Sequence, residues 1–146
     1  FPVASSWAEV GAPPPAFAKA EGVVMTTVAT AEPASIVFGT FDACVRKGPY
    51  ADGTLFHTCD VRGGSLRIGD RQSVTVTRVR VIEGTKALET NRPYVVYWFF
   101  GTASMPENEP FLAIVTRHEG STRLSGNVEF RNFGSKSPIV LDVVAR

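Results

Sequence analysis

Most of the signatures by which a sequence declares its chemistry are missing from this chain of 146 residues. No apolar run approaches the ~18–20 residues of a membrane-spanning helix, so no membrane span is expected. Fifteen Lys and Arg against 14 Asp and Glu leave a formal charge of +1, which supplies no strong field for phosphate backbones or anionic lipid. Arg62, Arg67, Arg71, Arg78 and Arg80 do lie close together, but Asp60 and Asp70 interrupt them, and nucleic acid is not expected as a partner. Only two histidines and two cysteines are present. There is no HxH, HExxH or CxxC spacing, and neither a metal nor an organic cofactor is expected. A nucleophile elbow, a P-loop and a dinucleotide fingerprint are equally absent, and the glycines of "FGTFD" and "RGGSLRIGD" sit at turn-like places. The first residues, "FPVASSW", carry neither a basic n-region nor an apolar h-region and are read as the start of a mature or trimmed product.

What is present points to a single globular domain. Apolar residues make up 44% and charged residues 20%, enough apolar surface to offset the entropy of ordering the chain. Residues 1–20, "FPVASSWAEVGAPPPAFAKA", hold four of the ten prolines and read as an extended arm, leaving 21–146 as the domain proper. Trp7 and Phe17 in that arm are candidate apolar anchors for a partner or a second copy.

From residue 22 onward the pattern is short runs rich in β-branched and aromatic residues, separated by turn residues, with no sustained helical period. Strands are expected at 22–31, 35–47, 55–61, 65–69, 73–83, 92–101, 111–119, 123–133 and 138–145. In "SVTVTRVRVIE" the apolar phase slips at Thr77 or Arg78, and a bulge there would return the valines to one face. "YVVYWFF" is apolar on both faces and is expected to be a central strand, or one whose outer face meets the arm or a partner. The fold class is therefore all-β: a single-domain antiparallel β-sandwich with jelly-roll or immunoglobulin-like wiring, with a β-barrel as the alternative.

The stretch "CVRKGPYADGTLFHTC" contains both cysteines. A four-residue loop Tyr50-Ala51-Asp52-Gly53, with Gly53 free to take positive φ, places Val45 opposite Thr58, Arg46 opposite His57 and Cys44 opposite Cys59. A Cys44–Cys59 disulfide is expected, and with it a secreted, periplasmic or particle-surface location. The same register sets His57 beside Arg46 on a partly exposed strand, which disfavours a general-acid role. His118 in "TRHEG" sits at a strand end next to Glu119. No residue is assigned as catalytic. The loop "GTASMPENEP", 101–110, is polar between two very apolar strands, and its Met105, Glu107 and Asn108 are candidate protein-binding residues.

The expected function is a non-catalytic interaction or assembly module of an extracytoplasmic or particle-surface protein. It would bind a protein partner or further copies of itself through the arm, the 101–110 loop or a strand edge. Two alternatives stand beside it: a small apolar-ligand carrier barrel lined by Phe38, Tyr97, Phe99 and Phe111, and a secreted hydrolase using His57 or His118 with Asp60 or Glu119.

Overall fold

The computed structural model describes residues 18–25, 31–69, 72–86, 91–103, 109–130 and 136–144. These form nine strands: β1 Lys19–Met25, β2 Ala31–Val37, β3 Thr40–Lys47, β4 Leu55–Ile68, β5 Gln72–Gly84, β6 Tyr94–Ala103, β7 Glu109–His118, β8 Arg123–Phe130 and β9 Lys136–Val143. Every pairing is antiparallel, and the order is β2-β1-β9-β8-β7-β6-β5-β4-β3 with β2 also bonded to β4. That last pairing closes eight strands into a barrel and leaves β3 outside the ring. Among the described residues there is no helix, hence none long and apolar enough to cross a membrane.

The all-β antiparallel expectation holds, but the sheet closes on itself and the architecture is the barrel, not the two-sheet sandwich. Alternation along each strand is the same in both, one face inward and one outward, so the pattern alone does not distinguish them. Closure depends on β4, which is one strand of 14 residues where the sequence pattern suggests two. Its second half takes β2 as a neighbour (Val37 opposite Ser65, Ala34 opposite Ile68) while its first half takes β3 (Thr40 opposite Arg62). Conversely 35–47, expected as one strand, is divided at Phe38-Gly39 into β2 and β3 without changing register against β4. Gly39 makes the kink, with φ of 74° and the Arg62 carbonyl packed where a Cβ would stand. Phe38, 1% exposed, is thereby driven into the barrel.

The interior is packed by Val24, Ile36, Leu66, Val74, Val76, Val79, Val81, Val95, Phe99, Val115, Leu124, Ile139 and Leu141, among others. The phase slip in β5 is a bulge: the register against β6 shifts between Val76 and Arg78, so Val74 and Val76 below it and Val79 and Val81 above it all face inward. At the inward position Gly126 a Cβ would strike the Ile114 carbonyl, and at Gly22 the Val140 carbonyl; absent side chains let neighbouring strands coil closely enough to close the ring.

β3 projects past the ring as a largely exposed strand, and a disulfide secures it. Val45 pairs with Thr58 and Arg46 with His57, as the loop argument requires. A bulge between Asp42 and Val45, with Ala43 at φ of 51°, presents Cys44 to Cys59 at a Cα separation of 4.1 Å. The loop closes with Gly53 N–H donating to the Tyr50 carbonyl (2.8 Å) and Tyr50 N–H to the Thr54 carbonyl (2.9 Å), and Gly53 has φ of 87°. Of the expected arm, Lys19 and Ala20 open β1, and residues 1–17 lie outside the described residues. The bridge spans 15 residues, so replacing both cysteines by serine is expected to lower the unfolding free energy by about 3 kcal/mol. The check is the denaturant midpoint at constant slope; an unchanged midpoint would show that β3 is held without the bridge.

Candidate functional site

The inward face of β4 to β7 alternates apolar residues until it nears one end of the barrel, where four polar side chains come from four successive strands. Two levels hold them. At the level nearer the mouth, Glu83 of β5 pairs across Val95 of β6 with Arg117 of β7; one level deeper, His57 of β4 lines up across Val81 with Tyr97 of β6. The next inward positions toward the strand ends are Thr85, Pro93 and Glu119, and Thr85 and Glu119 are exposed. Glu83 (8% exposed) and half-buried Arg117 thus stand at the threshold, with His57 and Tyr97, both at 0%, beneath them.

His57 Nε2 lies 2.7 Å from Glu83 Oε2. With Glu83 ionised and the imidazole neutral, Nε2 carries the proton and donates it, and Nδ1 holds the ring's lone pair. Nδ1 has no hydrogen-bond partner in the protein, and the Tyr97 hydroxyl, with the Arg117 side chain interacting at its oxygen, has no acceptor for its proton. Burial pushes the Tyr97 phenol up to about 12; the nearby Arg117 guanidinium opposes that shift and the Glu83 carboxylate adds to it. Arg117 Nη1 donates to the Ser121 carbonyl (3.4 Å), which ties the guanidinium to the turn after β7.

Aromatic packing fixes the phenol. The Tyr97 ring stacks on Phe99 (centroids 5.7 Å apart, planes at 7°), and Phe38 meets both edge-on at 5.6 and 5.5 Å. Phe38, Tyr97, Phe99 and Phe111, named above as a cavity lining, all face inward and are at most 4% exposed, and the first three fill the space between them with one another.

Several expectations about site residues change. His57 is not on a partly exposed strand face: Arg46 is its register partner, yet Arg46 is exposed on β3 while the imidazole turns inward to Glu83. Neither Asp60 nor Glu119 meets a histidine, since Asp60 is exposed opposite Arg78 and Glu119 is exposed at the turn after β7. His118 lies on the outer face with its ring 6.5 Å from that of Tyr94. Cys44 and Cys59 form the disulfide. Trp7, Phe17, Met105, Glu107 and Asn108 fall outside the described residues.

Glu83 and Arg117 were not among the candidates, although the signal for them was in the chain. Each continues an inward phase, Val79-Val81-Glu83 and Ala113-Val115-Arg117, and a charge in phase with buried residues marks a buried charge. No protein-family model, no curated protein and no solved structure matches this chain. The site must be read from its own geometry. Among the described residues no three His, Cys, Asp or Glu side chains gather as a metal-ligand set.

Two outcomes follow. Removing Glu83 as Glu83→Ala leaves a buried imidazole without its partner and is expected to cost about 3 kcal/mol, while His57→Phe combined with Glu83→Leu recovers most of that loss; denaturant melts of the three proteins check both. Tyr97 adds a pH effect. Between pH 10, where a phenol of the unfolded chain ionises, and about 12, the folded chain keeps a proton that the unfolded one has lost, so stability falls as pH rises through that window. A tyrosinate absorbance titration should show one of the three tyrosines ionising only near pH 12, a step that Tyr97→Phe removes.

Proposed function

We propose that the protein is a small-molecule-binding barrel whose site is the mouth lined by His57, Glu83, Tyr97 and Arg117. The observation that carries this reading is a pair of fully buried polar groups left incomplete by the protein, His57 Nδ1 with no partner and the Tyr97 hydroxyl with no acceptor for its proton. Each such group costs roughly 1–3 kcal/mol, and an interior otherwise lined by Val, Leu, Ile and Phe has ready apolar substitutes. Buried polar groups retained at that cost, beside a charged pair at the end of a barrel, mark a place where a ligand supplies the missing partners. The ligand that fits is compact. It offers an acceptor to the Tyr97 hydroxyl, a negative or partly negative oxygen toward Arg117 and, where it carries an O–H or an acidic C–H, that hydrogen to Nδ1.

A second reading, the interaction or assembly module of an extracytoplasmic protein, draws support from the outer wall. Ile82, Val96, Trp98, Phe100, Leu112 and Ile114 are neighbours there on β5 to β7, all half-buried and all facing outward. Arg78 lies over the Phe100 ring (5.7 Å) and Arg80 over Trp98 (6.0 Å), which flanks the apolar stripe with cations. The disulfide is compatible with an oxidising compartment, and a secreted, periplasmic or particle-surface location belongs to this proposal.

Native mass spectrometry of the purified protein tests both readings in one measurement. The small-molecule reading expects adducts of 4-nitrophenol, 2-oxobutanoate or benzoate at a ratio of one per chain, at least tenfold weaker in Tyr97→Phe. The assembly reading expects oligomers that Trp98→Ser dissociates. Monomers with no adduct from any of the three compounds would overturn both.

A further inference from the structure

The donors and acceptors at the barrel mouth form more than a binding set; resting on the small-molecule reading above, we infer that the site catalyses proton transfer at a carbon next to a carbonyl group. His57 is the base, the Tyr97 hydroxyl and Arg117 hold the carbonyl oxygen, and the substrate is a small enolisable ketone or 2-oxo acid.

The assignment follows from what each group has left to give. His57 Nε2–H is committed to Glu83, so the one reactive position on the ring is the Nδ1 lone pair, which has no other protein partner. The Glu83 carboxylate holds the tautomer and stabilises the imidazolium once Nδ1 gains a proton, which makes Glu83 a positioning residue. The Tyr97 hydroxyl is protonated throughout the physiological range and has no protein acceptor for its proton, which is left to donate to an incoming oxygen. Arg117 is near enough to act electrostatically on that phenol and supplies the positive charge for an oxyanion formed beside it. Both acting groups are 0% exposed, in surroundings of low dielectric where preorganised donors have their greatest effect.

The neighbours argue against acyl transfer. Around these four residues the buried inward positions are Leu55, Cys59, Val79, Val81, Val95, Phe99, Ala113 and Val115, and Cys59 is tied up in the disulfide. No serine or threonine is among the fully buried described residues, Thr85 at the rim is exposed and donates to the Asp52 carbonyl, and no free thiol is present among the described residues, so a base with an oxygen-stabilising pair is what remains.

The step balances without a further reactant. The carbon loses a proton to Nδ1, the electron pair of the broken C–H bond becomes the C=C bond of an enolate, and the carbonyl π pair moves to the oxygen held by Tyr97 and Arg117. Return of the same proton to the same carbon regenerates the substrate; when the imidazolium proton first exchanges with solvent, the carbon takes up solvent hydrogen instead, and delivery to a conjugated carbon gives an isomer. Nothing is oxidised or reduced.

Hydrogen–deuterium exchange at carbon 3 of 2-oxobutanoate, followed by proton NMR in D2O, reads the step directly, and 4-nitrophenolate, a planar oxyanion like the enolate, reads binding separately by its absorbance. Full-length protein should accelerate exchange over the rate without protein. His57→Gln should lose at least 100-fold of that acceleration while 4-nitrophenolate binding weakens less than tenfold; Tyr97→Phe should lose both, and His118→Gln on the outer face should lose neither. If His57→Gln does not fold by circular dichroism, Glu83→Gln takes its place. It still accepts the Nε2–H bond but no longer neutralises the imidazolium, and should slow exchange at least tenfold and alter its pH profile with binding intact. Wild-type protein that binds 4-nitrophenolate yet leaves exchange at background, or His57→Gln exchanging like wild type, would overturn the catalytic inference and leave the binding reading standing. Failure to bind either compound would overturn both.

Discussion

The structure depends on one shared register. The line of residues from Ala34 to Asp42 stays in step with β4 across a kink at Phe38-Gly39, so a single strand, β4, closes the ring through β2 and carries β3 beyond it. Without the β2–β4 pairing the sheet would be an open ribbon with two exposed edges, a template for adding further strands. With it, the inward residues of eight strands meet around one axis, and whatever polar group lies in phase with them is buried whether or not it finds a partner.

That enclosure gives the cluster at the mouth its chemistry. On an open sheet face, Glu83 and His57 would be a solvated pair of little consequence and Tyr97 an ordinary phenol. Inside the barrel the pair is desolvated, the ring of Tyr97 packs against Phe38 and Phe99, and Nδ1 and the Tyr97 hydroxyl are buried away from water. The cluster sits one level beneath the rim, at the end where the β3–β4, β5–β6 and β7–β8 connections gather, as shown by the Thr85 hydroxyl donating to the Asp52 carbonyl (3.2 Å) and Glu119 N–H to the Pro93 carbonyl (2.8 Å). Connections between strands are where recognition is ordinarily built on a rigid scaffold.

The disulfide belongs to the same end. β3 leaves the ring with exposed Val45 at 59% accessibility and with a free outer edge among the described strands, the kind of strand that invites misassembly. A bulge, Arg46 and Lys47, and the covalent tie to Cys59 keep it against β4. Because Cys59 lies two residues from His57 on the same inward face, the tie also steadies the strand that presents the imidazole.

Local information went a long way in this chain. The alternating valines with their slip at Thr77-Arg78 specified a bulged strand, and the Tyr50–Gly53 loop specified the pairing of Cys44 with Cys59, because turn geometry and the two-residue period act over neighbouring residues. Even Glu83 and Arg117 are legible as charges that continue an inward phase to the strand ends. Closure was not legible: a sandwich and a barrel share the same alternation, and which strand meets β2 is decided by a kink at Gly39 and a bend in β4 that only acquire meaning once both strands are in place. The meeting of His57, Glu83, Tyr97 and Arg117 was hidden for the same reason. They stand on four strands spread over 61 positions of sequence, and what brings them together is the stagger of the ring, a property of all eight strands at once.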